Sequence, residues 1–134
     1  MLFFTRFAHR FSTIAICATA LFVLSGCANR EERINRAINK ADQARQKNET
    51  SEALNILGKA AMKIPDSAAL LEAIANTQLE ANDPQAAAEG FVKTIQLDPN
   101  RSQLWVRIAE LRIRLGEDEA AATAFGHYLE SFPD

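Results

Sequence analysis

A 34-residue period constrains this chain more than any other feature. Pro65, Pro99 and Pro133 stand 34 residues apart, and the same step joins Ala41, Ala75 and Ala109, then Ala53, Ala87 and Ala121, then Leu57, Phe91 and Phe125. A unit of this length cannot bury its apolar face alone, so successive units must stack and share a core that runs along the stack. Within the period, apolar residues recur at helical spacing, as in Ile34, Ala37, Ile38 and Ala41, or Leu70, Leu71, Ile74 and Ala75. Asp83 followed by Pro84 reads as an N-cap with proline at the first helical position, and Gly116 as a helix stop. Alanine at the repeated positions lets paired helices approach closely, while Leu57, Phe91 and Phe125 fill the space between them. The pattern predicts an all-α chain of six helices and no strand.

These positions resemble the tetratricopeptide repeat, whose pattern runs aromatic, small, small, Phe and then Pro across two antiparallel helices. The resemblance covers Ile34 to Asp134, in units 34–67, 68–101 and 102–134. The middle unit closes on Leu97, Asp98, Pro99 and Asn100, and the last carries Trp105 at the aromatic position. Lys40 departs from the pattern where an apolar residue is usual, as do Gln78 and Arg112 where an aromatic is common. The resemblance implies three tandem helix-turn-helix units in a short right-handed solenoid. About three units is the lower limit for a stable stack, so its ends matter. The first helix is polar over Asn39, Lys40, Asp42, Gln43, Arg45, Gln46 and Lys47, as suits a solvated cap. The last carries Tyr128, Leu129 and Phe132 with no helix after them. Either a partner or a second copy docks there, or the stack continues in a longer chain.

An address segment precedes the repeats. Arg6, His9 and Arg10 lead into a mainly apolar run from Phe11 to Leu24, the order of parts in a secretory signal. That run is short of the roughly 20 residues a spanning helix needs, and an uncleaved anchor is the alternative. Leu24, Ser25, Gly26 and Cys27 resemble a bacterial lipobox, which implies cleavage before Cys27 and a diacylglycerol on its thiol. The mature chain would then be 108 of the 134 residues. Two or three acyl chains anchor firmly where one does so marginally. Lipoproteins of this kind tend to stay at the inner membrane when Asp follows the cysteine; Ala28 stands here, so if the cell is Gram-negative a periplasm-facing place on the outer membrane is expected. The expected organisation is a signal peptide over 1–26, the lipidated cysteine with a short tether over 27–33, and the repeat domain over 34–134. At about 3.3 to 3.6 Å per residue such a tether spans roughly 20 Å at most.

Charge and cysteine usage narrow the function. Without Arg6 and Arg10 the chain holds 13 basic and 17 acidic residues, a balance that discourages nonspecific nucleic-acid binding. Cys17 lies in the apolar run and Cys27 at its end, so no disulfide framework is expected in the mature domain. His127 is the lone mature histidine, and a metal site needs several converging ligands. The acidic groups Glu31 with Glu32, and Glu117 with Asp118 and Glu119, fall at helix starts, where negative charge complements the dipole. No nucleophile elbow or glycine-rich phosphate loop is present. Neither an enzyme nor a cofactor is expected.

The tetratricopeptide resemblance instead implies a binding module whose concave face is lined by the first helix of each repeat. Carried over position by position, that face holds Asn35, Ile38, Asp42 and Arg45, then Glu72, Asn76 and Leu79, then Gln103, Val106, Glu110 and Ile113. Its mixture of acids, amides and aliphatics suits a partly apolar, neutral-to-basic segment. The clamp with which some members grip C-terminal carboxylates needs Lys and Asn in the first unit, Asn in the second, and Lys and Arg in the third; those positions hold Ile38, Asp42, Ala73, Gln103 and Arg107 here, and only Arg107 fits. The expected function is a membrane-anchored scaffold for assembly of an envelope complex such as pilus, secretion or cell-wall machinery. The alternative is a regulatory subunit that activates a periplasmic enzyme.

Overall fold

The computed structural model describes residues 29–131. The chain divides into two units, Met1–Asn35 and Arg36–Asp134, and the packed core belongs to the second. Six α-helices run through the described residues: α1 over 29–46, α2 Thr50–Lys63, α3 Ala68–Glu80, α4 Pro84–Leu97, α5 Leu104–Arg114 and α6 Asp118–Ser131, with a 3-10 turn at Pro99–Arg101. No strand occurs among them. The expected all-α repeat is therefore observed. The tether is different: residues 29–33 already belong to α1, so they rise about 1.5 Å each rather than extending.

One device closes the first helix of every unit. Asn48 (φ 61°), Asn82 (φ 59°) and Gly116 (φ 74°) all adopt the left-handed conformation, and they stand one period apart. Their N–H groups donate to Arg45, Leu79 and Ile113, at 2.9, 3.0 and 3.0 Å. The next residue donates back five positions, Glu49 to Ala44, Asp83 to Gln78 and Glu117 to Arg112, each at 2.9 Å. Carbonyls that a helix end would leave unpaired are thus satisfied. The chain then enters the second helix at once, and Asp83 does so with a side-chain cap, its Oδ1 accepting from Ala86 N at 3.0 Å ahead of Pro84.

A different device closes the second helices. Ile64 and Asp98 each precede a proline and both take φ −137°, because the ring that follows disfavours the helical conformation. Ser67 caps the start of α3, its hydroxyl accepting from Leu70 N at 3.3 Å.

Successive helices pack in chain order from α2 to α6. The continuous core joins Ala75 of α3, Ala87, Ala88, Phe91 and Ile95 of α4, Leu104, Ile108, Ala109 and Leu111 of α5, and Ala124 of α6. Small residues set the spacing: a Cβ on Gly90 would lie 2.9 Å from Ala75 Cβ. Buried Thr77 and Thr94 satisfy their hydroxyls by donating to Ala73 and Gly90 carbonyls at 2.7 and 2.9 Å. The departures from the repeat pattern are accommodated unequally. Arg112 donates to Glu117 and to Gln85, whereas buried Gln78 Oε1 has no partner. Leu57 and Phe91 are 1% and 0% exposed, as the period predicts, but Phe125 is 39% exposed. It holds the equivalent position without a described helix to cover it.

Candidate protein-binding face

The first helices α1, α3 and α5 carry the residues expected to line the concave face. On α1, Asn35 is exposed, while Ile38, Asp42 and Arg45 are half-buried. On α3, Glu72, Asn76 and Leu79 are half-buried, and Leu79 packs against the core. At α5, Gln103 sits at the N-cap and is exposed with Glu110 and Ile113, the last at 53%, while Val106 is half-buried. Cys27 and Phe132 lie outside the described residues. On α6, Tyr128 is half-buried and Leu129 is 68% exposed.

Several charges on this face are engaged within the chain. Arg45 donates through Nε to Glu80 Oε2 at 2.7 Å, makes a second bond to the same carboxylate, and reaches Asp42 at 2.8 Å. The Arg45 hydrogen bond holds the Glu80 carboxyl below the ordinary glutamate range against a smaller opposing effect of burial, and the pair raises Arg45 in turn. Arg101, in the turn before α5, bonds Glu72 of α3 and donates to Asp98 at 3.0 Å. That bond depresses the Asp98 carboxyl. Asp42, Arg45, Gln46, Asn48, Thr50 and Glu80 line a groove of about 570 Å³ at the α1–α2 turn. Only Asp42 and Arg45 of these were expected from the sequence. The missed signal for Glu80 was the period itself: a residue 35 on from Arg45 lies one unit and one step away, beside it on the adjoining first helix.

Two further contacts were not foreseen. The Arg107 guanidinium lies over the Phe91 ring, 4.7 Å from its centroid, an arrangement favoured by the negative face of the ring. The one arginine that matched the carboxylate clamp is thus already in contact with the core. His127 packs against Trp105 with ring centroids 4.7 Å apart, and its Nδ1 lies 3.4 Å from Glu130. Among the described residues no cluster of His, Cys, Asp or Glu could hold a metal, and no helix is long and apolar enough to cross a membrane.

This geometry defines a tetratricopeptide-type helical repeat. Among solved structures the chain is similar to the second tetratricopeptide domain of Spaghetti (RPAP3) bound to the HSP90 peptide SRMEEVD, with a TM-score of 0.64 and 16% identity over 77% of this chain and 97% of that one. It is equally similar to the first such domain bound to the same peptide, with a TM-score of 0.64 and 16% identity over 77% of this chain and 82% of that one. At this identity the likeness establishes the fold. No protein-family model and no curated protein matches the sequence.

Proposed function

We propose that this chain is a lipid-anchored bacterial envelope protein that uses the face of α1, α3 and α5 as a scaffold for a protein partner. The observation that carries the interaction role is the exposed row on α5, where Ile113 is 53% exposed with Glu110 one turn before it and Gln103 at the start of the helix. An apolar side chain held among polar ones on a rigid helix is what a peptide or partner helix needs for anchorage and orientation. The two similar domains hold a peptide ending in Glu-Glu-Val-Asp. Asp42 and Gln103 stand at clamp positions of this chain, and Arg107 lies on Phe91; a neutral-to-basic, partly apolar segment fits better than an acidic tail. Anchorage rests on the lipobox-like run that ends at Cys27, and assembly of a pilus, secretion or cell-wall complex is the role that such an anchored scaffold serves. Intact mass of the membrane-extracted protein, with identification of what purifies with it, tests both parts. An acylated N-terminus at Cys27 and a co-purifying envelope component are expected; unchanged acylation in Cys27→Ser would exclude the lipid anchor, and a co-purifying enzyme whose rate changes would replace the scaffold.

A further inference from the structure

The repeat register shows what the outer side of α6 is shaped to receive. Helices α4 and α6 hold the same place in successive units, so each α4 residue has a counterpart 34 positions on. Ala88, Phe91 and Ile95 are 0%, 0% and 8% exposed, and α5 covers them by bringing Leu104, Ile108 and Leu111 into the same cluster. Their counterparts Ala122, Phe125 and Leu129 are exposed, the last two at 39% and 68%. The adjoining stripe of α6, with Ala121 and Ala124, is buried, so the exposure is confined to one side of the helix. Nothing among the described residues does for Phe125 and Leu129 what α5 does for Phe91 and Ile95.

Charge extends the comparison. Arg107 of α5 covers the Phe91 ring, and Arg112 reaches Gln85 Oε1 at 3.4 Å. On α6 the counterpart of Gln85 is Glu119, with Asp118 beside it, both exposed. A carboxylate therefore stands where α4 offers an amide, and an arginine arriving there would form a charge-assisted bond.

We propose that the outer face of α6 docks a cationic amphipathic helix of a partner protein, with apolar residues at i, i+4 and i+7 and basic residues at i+3 and i+8. This is the pattern that α5 presents to α4, and it is a second surface beyond the proposed face on α1, α3 and α5. A second copy of the chain does not supply it. Leu104, Ile108 and Leu111 are already buried against α4 in each copy, and their α1 counterparts are Arg36, Lys40 and Gln43, which lack the apolar stripe.

The α5 sequence itself is the probe. A fluorescent peptide spanning residues 102–116 is titrated against the detergent-solubilised full chain and followed by anisotropy. Saturable one-to-one binding is expected, weakened at least about tenfold by Leu129→Glu in the protein, a change of about 1.4 kcal/mol, and similarly by peptide Arg107→Glu with Arg112→Glu. Leu129 is exposed, so an unchanged melting curve for Leu129→Glu confirms that the fold survives. Absence of binding, equal binding of the charge-reversed peptide, or indifference to Leu129→Glu would overturn the proposal. A dimer that sediments as such and is dissociated by Leu129→Glu would also overturn it, in favour of a second copy.

Discussion

Gly58 and Gly90 are mid-helix residues of the same type in neighbouring units, yet substitution should move stability in opposite directions. A Cβ at Gly58 meets nothing within 4 Å, whereas one at Gly90 lies 2.9 Å from Ala75 Cβ with the Ala75 backbone 3.5 Å away. Gly58→Ala gains helix propensity alone and should stabilise by about 0.5–1 kcal/mol. Gly90→Ala has the same gain but pushes α3 away from α4, and overpacking of about 1–3 kcal/mol outweighs it. Urea unfolding of both variants at constant m-value checks the signs; a stabilised Gly90→Ala would mean that the two helices are not in contact there. The sequence marked Ala75 as a spacing residue through the period, but its partner Gly90 has no counterpart glycine at position 124, so the period did not disclose it.

At the scale of helices and turns, the left-handed residues do the most to set where each unit folds back. Gly116 is legible as a stop because glycine tolerates positive φ. Asn48 and Asn82 do the same work on the same period, but asparagine is common enough outside such turns that only the register, once known, identifies them. Asn82→Ala keeps the Cβ but loses the short polar side chain that offsets part of the cost of about 1–2 kcal/mol for this conformation, and should lower stability by a fraction of that. Asn82→Gly should cost nothing or stabilise, so equal melting temperatures for the two variants would exclude the left-handed turn.

The ion pair across the first two units adds a pH dependence. Because the folded Glu80 carboxyl is depressed by Arg45, its contribution is present above the ordinary glutamate range and is lost as pH falls through the folded value. Asp98, depressed by Arg101, acts in the same direction. Thermal stability should therefore drop on the acid side of that range, and Arg45→Met should flatten the Glu80 part of the drop. Identical acid profiles for the two proteins would show that the pair does not persist in solution.

For the molecule as a whole, the period carried the architecture because it encodes what each unit needs from the next. Six helices and the buried Leu57 and Phe91 follow from it. Phe125 does not, because a periodic sequence cannot say whether its last unit has a neighbour, and exposure depends on that neighbour. The residues of the binding face were legible in position but not in state: Asp42, Arg45 and Glu72 are engaged in ion pairs with partners one unit or one turn away, so the freer part of the face is on α5. If the scaffold meets its partner there rather than on the α2 side, contact should be confined to the α5 row. Site-specific photocrosslinking in cells compares a probe at Ile113 with one at Met62, which is 85% exposed on α2. One discrete envelope adduct is expected from Ile113 and none from Met62; no adduct at Ile113, or the same adducts from both positions, would contradict the proposed face.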